Sequence, residues 1–170
     1  AITDLLGLTC MVNKHGIWVT DGVNEPKIVS QKIERLFHRQ QLDFSQLSGA
    51  AAGVKDDRVV FSLPRFADGL TPVGNNVTLE YHPLDGWIVP HDFGCAAFTT
   101  FGNDSNDLYG ASPILGRAAN VFSGGTDYGL DVDFRYQTKW FEPARNTKCR
   151  FRRLRLDGRG TFSVSTHLDY

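Results

Sequence analysis

The chain has 170 residues, enough for one ordinary domain with a single hydrophobic core. A content of 41% hydrophobic and 22% charged residues is typical of a folded globular protein and excludes a disordered chain. The formal net charge of −1 excludes a general electrostatic attraction to nucleic acids or membranes, and the apolar runs are too short to span a bilayer. Aromatic residues make up 12% of the chain and glycines number 17, which favours many short strands joined by turns.

The N-terminus has no initiator methionine, and no basic region precedes an apolar stretch as in a signal peptide. Residues 1–6 read as part of a strand. We therefore expect the chain to be a processed product or a part of a longer propeller-containing polypeptide. The cysteines Cys10, Cys95 and Cys149 are widely spaced and form no CxxC pair, which predicts buried reduced thiols rather than a disulfide scaffold.

The first thirty residues predict two hairpins. Residues 8–20 alternate loosely about a turn at Lys14-His15-Gly16. Asp21-Gly22 is a strong signal for a second hairpin turn, and residues 26–29 are its return strand.

One helix is predicted after these hairpins. Ser30 is a candidate N-cap, and Ile33, Leu36 and Phe37 follow at helical spacing, which indicates a helix over residues 31–40. Residues 43–57 mix Ser, Gly and Ala without clear periodicity and are predicted to form a loop or a small irregular element.

Short strands separated by turns rich in Gly, Pro, Asn and Asp are predicted for the middle of the chain. They span residues 58–63, 77–81, 87–89, 94–101, 108–111 and 114–122.

The clearest alternation lies in residues 128–168. Apolar and polar residues alternate over 130–137, and the pattern returns after the turn at residues 157–160. Strict alternation in residues 149–156 would place arginines on the apolar face, so we predict a bulge at Arg152-Arg153 that turns every arginine outward.

Strands thus recur every 8 to 14 residues with one helix between them. This rhythm predicts an all-β chain of antiparallel meanders, arranged as propeller-like blades or a partial propeller, with a β-sandwich as the alternative. We expect residues 1–170 to form a single β domain.

Known catalytic and metal-binding spacings are absent from the sequence. The five histidines show no HxH, HExxH or HxxxH spacing, and no GxSxG elbow marks a nucleophile. Asp131 and Asp133 are paired carboxylates, but the alternation places them on a solvated strand face. Residues 102–107 are rich in oxygen ligands yet lack EF-hand spacing, so turn chemistry explains them better than calcium. We predict no catalytic residue, metal or cofactor.

A cluster of basic residues near the C-terminus is the most unusual local feature. One explanation of this cluster is that its residues pair with opposite charges on neighbouring strands. The other is that they form a contact surface for an acidic subunit or a nucleic-acid backbone. Trp140, beside Phe141, is a candidate stacking platform for a sugar, although packing in a core or at its rim also explains it. The candidate interaction residues are Arg150, Arg152, Arg153, Arg155, Arg159 and Trp140.

The order of short motifs resembles the β-propeller portions of tailed-phage virion proteins, such as tail-nozzle and packaged-DNA stabilisation proteins. The motifs are residues 16–22 (GIWVTDG), 28–37 (IVSQKIERLF), 79–82 (LEYH), 107–110 (DLYG) and 127–139, with Trp87 among them. The resemblance implies a non-enzymatic subunit of a virion ring that is assembled in the host cytoplasm. It also implies partners among other virion subunits, most simply in a homo-oligomeric ring, and possible DNA contact through the basic cluster.

Two other functions stay open on the sequence. A carbohydrate- or receptor-binding module would use Trp18, Trp87 or Trp140 as stacking platforms. A glycosidase of propeller or sandwich type would require carboxylates that converge from distant loops.

Overall fold

The computed structural model describes residues 1–38, 41–66, 72–100, 107–122, 126–127 and 130–131. All of them lie within one compact unit of the chain, residues 1–134.

The first sheet is an antiparallel meander whose four strands are adjacent in chain order. Leu6 and Gly7, both with positive φ, close its first hairpin. At the predicted turn after residue 20, the Asp21 side chain accepts hydrogen bonds from the backbone of Val23 and Asn24. Bonds from Asn24 and Val23 lower the pKa of Asp21 to about 2. The strands are β1 (Ile2–Leu5), β2 (Leu8–Asn13), β3 (Gly16–Thr20) and β4 (Lys27–Ile28), which confirms both predicted hairpins.

The predicted helix over residues 31–40 is wrong in type and extent. A short 3₁₀ helix spans Gln31–Phe37, and it is kinked at Ile33, whose backbone is not helical. Ser30 precedes this helix but makes no side-chain cap bond, because its hydroxyl accepts the buried backbone N–H of Ile17 instead. The serine that suggested an N-cap in the sequence therefore forms a hydrogen bond with the first sheet instead.

A second 3₁₀ helix and a strand lie where the sequence predicted a loop. Phe44–Gly49 is helical, and the Asp43 side chain caps it by accepting the Ser45 N–H. The strand β5 (Ala51–Lys55) follows directly. Its small residues hide the alternation that usually marks a strand. Gly53 is required because an added Cβ would lie 2.8 Å from the Phe98 side chain.

The second sheet is another four-stranded antiparallel meander in chain order. Asp56, with φ of 53°, and Asp57 form its first tight turn. The strands β6 and β7 are buried along almost their whole length, which is why they are rich in Val, Leu and Phe. Its strands are β5, β6 (Arg58–Leu63), β7 (Val77–His82) and β8 (Trp87–His91).

The third sheet has three described strands in the order β11, β10, β9, and it is followed by a separate strand pair. The strand predicted over 94–101 begins only at Ala97, and residue 101 lies outside the described residues. The strand predicted over 114–122 was too long, since Ser112 forms a turn by accepting the N–H groups of Ile114 and Leu115. The elements are β9 (Ala97–Thr100), β10 (Leu108–Ala111), β11 (Ala118–Asn120) and the pair β12 (Thr126–Asp127) and β13 (Leu130–Asp131).

The second sheet lies between two hydrophobic cores. Side chains such as Phe61 and Leu79 pack with the first sheet and the 3₁₀ helices. On the opposite face, Val60 packs with Leu108 and Phe93 in the second core, toward the third sheet. The first strands of the sheets are neighbours, with β5 contacting both β1 and β9.

Buried polar side chains attach residues 93–95 to the second sheet. The Thr78 hydroxyl donates to the Phe93 carbonyl at 2.7 Å, and the Ser62 hydroxyl accepts the Cys95 N–H at 2.7 Å. The Asn75 amide donates to the carbonyls of Gly49 and Cys95. These bonds satisfy backbone groups that would otherwise be buried without partners.

The prediction of a predominantly antiparallel β chain is confirmed, and the described residues contain two short helices rather than the one that was predicted. Within the part of the chain that the structure describes, the sheets are meanders, and they close neither a barrel nor a propeller. The bulge at Arg152-Arg153 and most of the alternation over 128–168 lie outside the described residues.

Candidate functional site

The central strand β7 has a polar face that is buried. Leu79 and Tyr81 point into the first core, so Thr78, Glu80 and His82 alternate onto the opposite face. That face is covered by the 93–95 segment and the second core, and Glu80 retains only 5% of its surface exposed. A carboxylate in such a position requires charged or hydrogen-bonding partners.

Glu80 has such partners on its own strand and on the two strands that flank it. Its Oε1 accepts from Arg58 Nη1 at 2.7 Å and contacts His82 Nε2 at 2.9 Å. Its Oε2 contacts His91 Nε2 at 2.8 Å. We call Arg58, Glu80, His82 and His91 the ion cluster; it joins β6, β7 and β8 through side chains.

The environment of the ion cluster keeps Glu80 ionised. Burial on its own would raise the pKa of Glu80, but hydrogen bonds from His91 and Arg58, and the charges of both, lower that pKa to about 2. The Glu80 carboxylate is therefore negatively charged throughout the physiological pH range.

This arrangement is suited to holding strands together rather than to proton transfer. A general base works best with a pKa near the operating pH, whereas the pKa of Glu80 is far below it. Both carboxylate oxygens are already engaged. Among the described residues no group of three or more His, Cys, Asp or Glu side chains could hold a metal ion.

The histidine of the ion cluster on β8 also contacts the second core. The His91 ring lies 5.7 Å from the Phe93 ring and 5.1 Å from the Phe122 ring, between centroids. The ion cluster thus lies at the boundary between the polar face of β7 and an aromatic group.

A surface groove of about 570 Å³ is formed by residues other than those of the ion cluster. Three aromatic side chains and Leu42 line it, together with one lysine and two histidines. Asp43 also lines it, but its carboxylate is engaged by Ser45 and Gln46. The other lining residues are Lys14, His15, His38, Phe37, Phe44 and Phe66.

The candidate interaction residues from the sequence lie outside the described part of the chain; they are Arg150, Arg152, Arg153, Arg155, Arg159 and Trp140. Trp18 lies on β3, where it is half-buried and its indole Nε1 donates to Asn13 Oδ1 at 3.2 Å. Cys10 and Cys95 are buried, as predicted, and Cys149 lies outside the described residues. No helix among the described residues is long and apolar enough to cross a membrane.

The ion cluster was not predicted from the sequence. The alternation of apolar and polar residues over 77–81 predicts the strand correctly, but it does not show that the polar face with Glu80 is buried. The signal that could have identified the cluster is a pair of histidines near one glutamate, His82 on the same strand as Glu80 and His91 on the next strand. That pairing becomes meaningful only when the register is known.

No protein-family profile, curated protein or solved structure matches the chain.

Proposed function

We propose that this chain is a non-enzymatic structural subunit of a tailed-phage virion, a tail, neck or nozzle component that acts through subunit contacts. The observation that carries the proposal is the stacking of successive antiparallel meanders through their first strands, β1 beside β5 and β5 beside β9. In a β-propeller, consecutive blades likewise pack face to face, and the first strand of each blade is the innermost one. The order of short sequence motifs described above is the reason for proposing a virion protein in particular.

The use of buried charge supports a structural role. Glu80, the buried acid of the second sheet, forms bonds to three side chains of its own sheet. The buried polar residues Ser62, Asn75 and Thr78 likewise bind backbone groups of the chain itself. These side chains contribute to the fold and leave few groups for a reaction.

The proposed partners are other virion subunits, most simply copies of this chain in a ring. The basic stretch of residues 145–159 carries seven Lys and Arg against a single Asp, and this imbalance suits an acidic subunit surface or DNA. Assembly through such a surface would be weakened by salt.

Sedimentation velocity and negative-stain microscopy of the full chain test this proposal. We expect ring-like oligomers that dissociate at high salt. The variant Arg152→Ser, Arg153→Ser, Arg155→Ser should keep the circular dichroism spectrum and lose assembly. A matched control removes three exposed charges elsewhere, Lys14→Ser, Lys27→Ser, Arg35→Ser, and should assemble normally. A full chain that stays monomeric at all concentrations, alone and with DNA, would contradict the proposal.

A carbohydrate- or receptor-binding module is the second candidate, and the groove at Phe44 and Phe66 is the observation that favours it. Aromatic rings beside polar and cationic groups can hold a sugar or a small anion. Glycan-array binding by the full chain that disappears in Phe66→Ala, with an unchanged melting temperature, would favour this function over the structural one.

A further inference from the structure

The surface groove of about 570 Å³ combines apolar residues with exposed polar ones. Its apolar residues are Phe37 and Leu42, which are buried, and Phe44 and Phe66, which are half-buried. Its exposed polar residues all carry hydrogen-bonding nitrogens; they are Lys14, His15 and His38. Apolar contact area next to a few polar groups, in a concavity of this volume, is typical of sites that bind small molecules.

Hydrogen bonds hold parts of the groove in place. The Phe66 N–H donates to the Gln41 carbonyl at 2.8 Å, so the segment that carries Phe66 is joined to the segment that leads to Phe44. The turn between β2 and β3 is fixed as well, because the Asn13 side chain accepts the His15 N–H at 2.8 Å. The groove is therefore formed before a ligand enters, which lowers the entropic cost of binding.

The charges of the groove favour an anionic ligand. Lys14 forms no ion pair with any described residue. Asp43 is the one acidic side chain among the described lining residues, and its two carboxylate oxygens accept hydrogen bonds from Ser45 and Gln46. A ligand carboxylate can therefore pair with the Lys14 ammonium in a charge-assisted hydrogen bond, for which no acid of the protein competes.

The groove also fits a ring with an apolar face and a polar edge. A sugar ring has this character, because C–H groups cover its face and hydroxyls project from its edge. The half-buried rings of Phe44 and Phe66 suit the face. The imidazoles of His15 and His38 suit the hydroxyls, since a neutral imidazole both donates and accepts. A ligand that is apolar on every side would leave these polar groups without partners, and a neutral sugar would leave Lys14 without a counter-charge.

We propose that the groove binds an acidic sugar, a sugar ring that carries a carboxylate. The inference rests on the second candidate function, the binding module, whose ligand class it names. It does not depend on assembly in a virion.

Two acidic sugars, each compared with its uncharged methyl ester, test the role of charge. The probes are methyl β-glucuronide and methyl α-sialoside, titrated into the full chain and followed by calorimetry or ligand-observed NMR. We expect at least one acid to bind at least about 10-fold more tightly than its ester and than acetate. The inference is overturned if neither acid binds saturably, or if the esters or acetate bind as tightly as the acids.

Variants of the groove locate the site. Lys14→Gln should abolish the preference for the acid over its ester, and Phe66→Leu, which keeps most of the apolar bulk, should weaken both ligands. Lys27→Gln changes an exposed lysine of β4 that does not line the groove, and it should bind like the unmodified chain. All three variants should keep the melting temperature. A folded Lys14→Gln chain that retains the preference overturns the inference.

The outcomes also separate this inference from the proposed functions. A chain that binds only neutral glycans on an array would remain a binding module, and its acidic ligand would be refuted. A chain that binds no glycan refutes both the module and the inference. Assembly into rings is measured without any ligand, so its result decides the virion role alone.

Discussion

Glu80 and His91 are joined across the β7–β8 pair, with 2.8 Å between Oε2 and Nε2. They are not directly opposite in the register: Glu80 faces Val89, and His91 faces Thr78. The contact is therefore a diagonal one, which long side chains can make on one face of a sheet. It fixes the end of β8 next to the segment that Thr78 holds, so the ion cluster and the buried polar side chains that bind residues 93–95 act on the same part of the chain.

The ion cluster makes the stability of the protein depend on pH. The pKa of Glu80 falls from an ordinary 4.5 to about 2 in the folded state, so folding favours the ionised carboxylate. Its contribution, about 3 kcal/mol, is present above pH 4.5 and is lost as the pH falls toward 2.

Glu80→Gln tests this contribution. At pH 7 the variant should unfold at a lower urea concentration than the unmodified chain, and the difference should shrink steadily between pH 4.5 and pH 2. Asp57→Asn, at an exposed turn position beside Arg58, is the control and should change stability by less than about 0.5 kcal/mol. A Glu80→Gln difference that is as large at pH 2 as at pH 7 would contradict the assigned cause.

The close packing of the second sheet against the third sheet depends on Gly53. A Cβ at this position would lie 2.8 Å from Phe98 Cβ and 3.1 Å from Leu108 Cδ1, so Gly53→Ala forces buried side chains to move. We expect a loss of about 1–3 kcal/mol in the free energy of unfolding, measured by urea titration. Gly49→Ala is the matched control, since nothing lies within 4 Å of its added Cβ. Equal effects of the two substitutions would show that the sheets can separate at little cost.

The hairpins of the first thirty residues were predictable because their turn residues act locally. Asp21 forms its bonds with residues two and three positions later, and such chemistry is visible in the sequence. The strand Ala51–Lys55 was not predictable in the same way. Its Gly53 is required by the close approach of Phe98, a residue more than forty positions away.

The candidate site was harder to predict than the fold for a related reason. Alternation in β7 correctly separates Leu79 from Glu80, but it cannot tell a solvated face from one covered by another layer. Ser30 is similar: its position before a helical pattern suggested a cap, while its true partner, Ile17, lies on β3. In both cases the function of a polar residue is set by tertiary contacts.

The buried thiols should be chemically inert. Burial, and next the charge of Asp4, raise the pKa of Cys10 to about 11, so almost none of it is thiolate at pH 8. Cys95 is likewise buried. In the variant Cys149→Ser we expect no rapid reaction with Ellman's reagent in the folded state and two reacting thiols in urea. Rapid modification of either thiol without denaturant would mean that the core around it opens readily.

Ser30 connects the 3₁₀ helix to the first sheet, and its removal should destabilise the chain without shortening the helix. Ser30 is 1% exposed as a residue, and its hydroxyl accepts the Ile17 N–H at 3.0 Å, so Ser30→Ala leaves a buried donor unsatisfied. The expected loss is about 1–3 kcal/mol in urea unfolding. Ser112→Ala removes an equivalent acceptor near the surface, where water can replace it, and should cost at most about 0.5 kcal/mol. If Ser30→Ala were as mild as Ser112→Ala, water would have to reach Ile17 N, and β3 would be less tightly packed against the helix than its burial indicates.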